Sequence, residues 1–262
     1  MMDALFDKGW AKFPADRALG SWIDAAREAA IERINDPAER QVWLQCEGTW
    51  FVGVDTLPSD IEGAVGKAGP LTGVAYDAAR QIYGDLPLHP GQVSVIYPGY
   101  PRPREAETEA AFRYRLNRDA AHVDGLLGVG HPKKRMLKEQ HAYILGIPLT
   151  ACDDKASPLV VWEGSHKRMA EAFTEALGGR DAADWDTIDL TAIYQAARQE
   201  VFDTCPRVTV TAQPGEAYLV HRLALHGVAP WEDNAVAPPE GRMIVYFRPE
   251  LPPATRGWLE LP

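Results

Sequence analysis

From Gln92 onward, the apolar residues of this chain recur at every second position or in short unbroken runs, too brief and too closely spaced to make helices. Val93, Val95 and Tyr97 alternate with Ser94 and Ile96 until Pro98-Gly99 breaks the run. Ala142 to Leu149, Leu159 to Trp162, Val208 to Ala212, Ala217 to Val220 and Met243 to Phe247 read as further strands, several of them apolar on both faces. Two helical stretches interrupt them. One carries Met169, Phe173, Ala176 and Leu177 before Gly178-Gly179, and the other carries Leu190, Ile193, Tyr194 and Ala197. Strand and helix do not alternate regularly, which disfavours a parallel α/β sheet. The expected fold is mainly β with flanking helices, a jelly-roll, cupin-like core.

The first ninety residues read differently. Leu19, Trp22, Ile23, Ala26 and Ala30 share one helical face, and Asn35-Asp36-Pro37 ends that helix. Val42-Trp43-Leu44 and Trp50-Phe51-Val52 flank Glu47-Gly48 as a hairpin would, and Leu71, Val74, Ala75, Ala78 and Ile82 return to helical spacing before Gly84. The expected organisation is one domain over 1–262, with a mainly helical elaboration over 1–90 and a core over 91–250. A chain of 262 residues, 46% hydrophobic, is long enough to bury such a core undivided.

A formal net charge of -10 repels phosphate backbones and anionic lipid, so neither nucleic acid nor a membrane is the expected partner; a small molecule is. No apolar run is long enough to span a bilayer, and Asp3, Asp7 and Lys8 make a poor signal-peptide core, so a cytoplasmic location is expected. Cys46, Cys152 and Cys205 are isolated and odd in number, which suggests buried thiols rather than a disulfide framework or a zinc cluster. No oligomeric state follows from these patterns.

Chemistry concentrates in two segments, Ala121-His122-Val123-Asp124 and Leu223-Ala224-Leu225-His226-Gly227, with Arg242 after the second. On a strand, His122 and Asp124 project from one face with Val123 turned away. With His226 they make two imidazoles and one carboxylate, the donor set that holds Fe(II) on one side and leaves the opposite positions open. Arg242 opens an otherwise apolar strand and needs an anionic partner. Two readings compete: a carboxylate of 2-oxoglutarate, which a guanidinium fork matches, or an internal salt bridge. Alternation puts Arg248 on the same face, as a second candidate anchor.

These residues resemble a known family. The run Gly215-Glu216-Ala217-Tyr218-Leu219-Val220-His221-Arg222-Leu223-Ala224-Leu225-His226-Gly227 is similar to the C-terminal motif of the phytanoyl-CoA dioxygenase family of Fe(II)/2-oxoglutarate oxygenases. Pro158-Leu159-Val160-Val161-Trp162-Glu163-Gly164-Ser165-His166-Lys167 resembles its Pro-Gly-Ser-His-Lys signature, with Glu163 where the proline usually stands. The resemblance runs from about Gln92 to Glu250. It implies a double-stranded β-helix, iron bound by His122, Asp124 and His226, and 2-oxoglutarate held by Arg242. It also implies a dioxygenase that uses molecular oxygen to hydroxylate a small molecule while 2-oxoglutarate is decarboxylated to succinate. An aspartate at position 124, where related halogenases carry a small residue that admits halide, favours hydroxylation. The alternatives are a hydrolase or isomerase using the same ligands on a similar barrel, and a metal-binding module without turnover.

His221 is a rival to His226 as ligand. His166 reads as a turn-stabilising residue, His131 and His141 stand near the ligands without an assigned role, and His89 reads as loop. The stretch Arg102 to Lys138 gathers Arg102, Arg104, Arg113, Arg115, Arg118, Lys133, Lys134, Arg135 and Lys138 around the His-x-Asp pair. Either it rims the site and recruits a negatively charged substrate, or its mixture with Glu105, Glu107, Glu109 and Asp119 marks a solvated face. Tyr97, Tyr100, Trp162 and Trp231 are candidate aromatic walls.

Overall fold

The structure, a computed structural model, describes residues 2–262. Twelve strands run in chain order: β1 Trp10–Phe13, β2 Leu44–Gln45, β3 Trp50–Phe51, β4 Gln92–Ile96, β5 Leu126–Val129, β6 Lys134–Leu137, β7 Tyr143–Pro148, β8 Leu159–Trp162, β9 Arg207–Val210, β10 Ala217–His221, β11 His226–Val228 and β12 Arg242–Phe247. Eight α-helices accompany them: α1 Met2–Lys8, α2 Gly20–Asn35, α3 Pro37–Trp43, α4 Val74–Tyr83, α5 Glu109–Asn117, α6 Ser165–Leu177, α7 Thr191–Thr204 and α8 Gly257–Glu260. A seven-stranded sheet in the order β1-β10-β7-β12-β4-β3-β2 faces a three-stranded sheet, β11-β8-β9, and every pairing is antiparallel. The mainly β architecture with flanking helices is therefore the one the strand pattern predicts.

The alternation of each strand explains how two sheets are held together while helices coat the outside. Ile144, Leu159, Val161, Val210, Tyr218, Val220 and Ile244 turn inward and form the core between the sheets. Their neighbours Tyr143, Leu145, Val160, Trp162, Leu219, Met243 and Val245 turn outward into a larger core shared with the helices. Burying each aliphatic side chain of the inner layer contributes about 1.5–3 kcal/mol. On β12 the inward register is Arg242, Ile244 and Tyr246, so a guanidinium is forced into the interior by the same period that buries the isoleucine.

The first ninety residues supply more than helices. β1 zips onto β10 from Trp10 opposite Val220 to Phe13 opposite Ala217, and β3 pairs with β4, so this segment contributes strands to the large sheet. The stretch Val42-Trp43-Leu44 is corrected: only Leu44 enters a strand. The Asp36 side chain accepts from the backbone N–H groups of Ala38 (2.7 Å) and Glu39 (3.3 Å), and Pro37 occupies the first turn, so a second helix starts where the first ends and runs through Trp43. The turn at Glu47-Gly48 does join β2 to β3. Glu163, in place of the expected proline, accepts from Trp10 Nε1 at 3.0 Å and pairs with Lys8 at 3.4 Å, tying the N-terminal segment to the end of β8.

Candidate active site

His122 and His226 are held by their backbones before their side chains are considered. The His122 N–H donates to the His226 carbonyl at 2.8 Å, and the His226 N–H donates to the His122 carbonyl at 3.0 Å, a single antiparallel bridge. Beyond it, Val228 N–H donates to the Asp119 carbonyl at 2.8 Å, and Arg207 clasps the Asp119 carboxylate through Nε at 2.7 Å and Nη2 at 2.8 Å. Gly227 is required by this closeness: a Cβ there would lie 2.1 Å from the Asp119 carbonyl oxygen. His122 is not on a regular strand, as its spacing to Asp124 implied. It is one bridge residue followed by a turn that carries Asp124, and the two side chains still converge.

The His122, Asp124 and His226 ligand atoms all lie within 4.8 Å of one another. His122 Nε2 stands 3.1 Å from Asp124 Oδ1, and His226 Nε2 stands 3.8 Å from the same oxygen. Each Nδ1 faces the carbonyl two residues upstream, Ala120 at 3.0 Å and Ala224 at 2.9 Å. A carbonyl only accepts, so Nδ1 carries a proton in both rings, and Nε2 is the atom turned toward Asp124 that a metal ion would take, in His122 once its proton on the carboxylate is displaced. Asp124 is 8% exposed, His226 is buried, and half of the His122 side chain opens onto the cleft.

Charge is balanced to keep this donor set available. Burial pushes the Asp124 carboxyl up, but Arg248, the hydrogen bond from His122 and the charge of His226 outweigh it and hold the group well below its ordinary value. Burial lowers His226 to about 4, so its imidazole is neutral at physiological pH. Burial acts the same way on His122 but is overcome by its bond and charge interaction with Asp124, so its value rises above the ordinary one. Arg248 Nη1 sits 3.4 Å from Asp124 Oδ2, which leaves Oδ1 turned toward the histidines.

A narrow cavity of about 70 Å³ leads from the three ligands into the space between the sheets, lined by Trp50, Gln92, Ser94, Ile144, Leu159 and Tyr246. At the far end of the inner layer Arg242 is buried beside Tyr218 and Tyr246, whose hydroxyls bond each other at 3.0 Å. Its Nη1 is buried without a partner, so the internal salt bridge weighed from the sequence does not form at that nitrogen. An orphaned buried guanidinium nitrogen fits a carboxylate.

The other candidates separate cleanly. His221 points away from the ligands: its Nδ1 accepts from Leu223 N–H at 3.0 Å and its ring lies 4.9 Å from that of His166. His166 Nε2 meets the Phe6 carbonyl at 2.9 Å, a long-range tie to helix α1 rather than a bond within its own turn. Arg222, completely buried, donates to the carbonyls of Trp258, Gly257, Leu261 and Pro262, and so fastens the C-terminal helix. His141 bridges Glu139 and the Arg248 carbonyl, behind the site, and His131 is exposed. Of the aromatic residues, Trp50 and Tyr246 line the cavity, whereas Tyr100 and Trp162 are buried in packing. Sequence reading missed the contact of Arg248 with Asp124; the shared face of β12 was the signal that placed it near the site.

No family model matches the chain, and no curated protein matches it. Solved structures do. The non-heme alpha ketoglutarate dependent carbocyclase SnoK from nogalamycin biosynthesis is 16% identical, with a TM-score of 0.47 over 96% of this chain and 90% of that one. AviO1 from Streptomyces viridochromogenes Tue57 is 18% identical, with a TM-score of 0.48 over 97% and 96% of the two chains. EctD from S. alaskensis, solved with 2-oxoglutarate and 5-hydroxyectoine, is 15% identical, with a TM-score of 0.49 over 98% and 81%. These similarities are distant.

Proposed function

We propose that this chain is an Fe(II)- and 2-oxoglutarate-dependent oxygenase that hydroxylates a small molecule in the cytoplasm. The observation that carries the reading is the pairing of the two ends of one interior. Two imidazoles and a carboxylate converge at its mouth, and a buried guanidinium with an unpartnered nitrogen stands at its far end. His122, Asp124 and His226 would hold the iron, and Arg242 would take the far carboxylate of 2-oxoglutarate. When bound, iron and 2-oxoglutarate consume molecular oxygen, release succinate and carbon dioxide, and supply the oxidant that hydroxylates a C–H bond.

The chain's own residues position and protect. The Ala120 and Ala224 carbonyls fix both imidazole tautomers, and Arg248 orients the Asp124 carboxylate. Ile144, Leu159 and Val220 line the passage with hydrocarbon and so limit water beside the ligands. The Tyr218 and Tyr246 rings brace Arg242, so its fork costs little entropy to order. Asp124 fills the carboxylate position, which favours hydroxylation over halogenation. The motif resemblance to the phytanoyl-CoA dioxygenase family supports the same reading.

Anaerobic titration of metal-free protein with Fe(II) and 2-oxoglutarate tests it. The expected result is a visible charge-transfer band that weakens in Arg242→Ala. A band weakened instead by Arg248→Ala moves the anchor to that residue. Iron binding without a band sinks the oxygenase reading and leaves a metal enzyme of another class.

A further inference from the structure

We infer that the substrate of this site carries an oxyanion, and that Arg104, Arg135 and Arg198 receive it in a vestibule above the metal ligands. The inference deepens the oxygenase reading and depends on it only for what happens beneath the vestibule. A cavity of about 530 Å³ opens over His122, Asp124 and Arg248 and shares Trp50 with the narrow passage below. That is room for a small organic molecule. Five arginines line it, Arg104, Arg115, Arg135, Arg198 and Arg248, against three carboxylates, Glu107, Asp124 and Glu139. On a protein of net charge -10 this is a local reversal of field.

The carboxylates are already committed. Glu107 pairs with Arg115, Asp124 with Arg248, and Glu139 with His141. Among the described residues, no carboxylate forms an ion pair with Arg104, Arg135 or Arg198. These three are instead braced by groups that leave N–H edges free. Arg198 lies over Tyr114 at 4.7 Å and over Tyr194 at 5.2 Å, Arg104 lies over Trp50 at 5.3 Å, and the Arg135 guanidinium donates once, to the Leu126 carbonyl at 3.2 Å. Most of the remaining basic stretch is spent elsewhere: Arg102 on Glu47, Arg113 on Glu109, Lys134 on Asp189 and Lys138 on Asp186.

The aromatic shelf is also tied to the ligand segment on both sides of His122. Tyr114 Oη donates to the Ala121 carbonyl at 2.8 Å, and Tyr194 Oη accepts from Val123 N–H at 3.1 Å. An anion held on Arg198 is therefore fixed in register with His122, which is what a positioned C–H bond requires.

Calorimetric titration with phenyl phosphate, benzoate and neutral benzamide tests the inference, using wild type, the double variant Arg135→Gln/Arg198→Gln, and Arg242→Ala. At least one anion is expected to bind wild type tenfold or more tightly than benzamide, to weaken tenfold or more in the double variant and with added salt, and to be unchanged in Arg242→Ala. Preference for phenyl phosphate identifies a phosphate ester as the substrate type, and preference for benzoate a carboxylate. Arg198→Lys, which keeps the charge, retains part of the affinity. Equal binding of benzamide, or a loss seen in Arg242→Ala but not in the double variant, overturns the inference. Co(II) binding measured in parallel separates the two proposals: its absence in wild type removes the metal reading and leaves the anion result standing, and its retention in the double variant certifies the fold.

Discussion

Two pairs of histidines in this molecule have nearly the same ring geometry and opposite chemistry. His122 and His226 have ring centroids 4.7 Å apart at 49°, and His166 and His221 have theirs 4.9 Å apart at 47°. In the first pair each Nδ1 is taken by a carbonyl, so both Nε2 atoms are free to meet at Asp124. In the second pair His221 Nδ1 is consumed by Leu223 N–H and His166 Nε2 by the Phe6 carbonyl, and the residue beside them is Arg222 rather than a carboxylate. Proximity of imidazoles does not make a metal site. The direction of the free lone pair and the charge of the third neighbour do.

Removing that third neighbour has the largest expected effect. Asp124→Ala is expected to weaken Co(II) binding by about 100-fold or more, judged against the tenfold to hundredfold cost of losing a mere outer-shell partner. His221→Asn is expected to leave it unchanged. Visible absorption of the Co(II) complex measures both, and a His221→Asn loss as deep as that of Asp124→Ala would erase the distinction between the pairs.

Next in size is Gly9→Ala, which probes the packing of the second pair. Gly9 has φ +86, and a Cβ there would lie 2.7 Å from His166 Nδ1. Backbone strain together with a displaced ring is expected to cost about 2 kcal/mol in urea unfolding, with Co(II) affinity retained. A neutral result would mean that the N-terminal segment is not clamped on the second pair.

The smallest effect is the pH dependence of that pair. Burial depresses His166, and depresses His221 well below the ordinary histidine value, so the unfolded chain takes up protons that the folded pair refuses. Their contribution to stability is present above the unfolded value of about 6.5 and is lost as pH falls below it, by up to ~1.4 kcal/mol per pH unit for each ring. His122, raised in the folded state, has the opposite sign: its contribution is present below about 6.5 and is lost as pH rises through its folded value. Melting of metal-free protein between pH 7 and 5 is expected to be less acid-sensitive in His221→Asn, whose amide oxygen can still accept from Leu223. An unaltered slope would assign the acid sensitivity to other groups.

What was legible in the sequence was local. Period-two alternation located β4, short apolar runs located β7, β8, β10 and β12, and the two short motifs named the three residues that converge. What escaped depends on distant partners. β1 has only four residues, and its strand identity comes from pairing with β10, whose register sets Trp10 against Val220. The vestibule joins Arg104, before α5, to Arg198, on α7, and no spacing rule connects them. Helix α3 was misread because Asp36-Pro37, a stop for the helix before it, is equally a start for the next. The opposite ring orientations of His226 and its rival His221 were also out of reach, because they are set by the Ala224 carbonyl and the Leu223 N–H rather than by side-chain identity.

The backbone bridge between His122 and His226 has a consequence for metal identity. Because two peptide hydrogen bonds already fix the spacing of the imidazoles, the donor set is assembled by folding rather than by the ion. As a metal site, such a pocket would not close around a preferred cation, and its occupancy would follow the general order of divalent affinities, in which copper and zinc outrank iron. Under the proposed function, mismetallation would be the vulnerability of this architecture, and which ion loads the site would follow from what its surroundings supply.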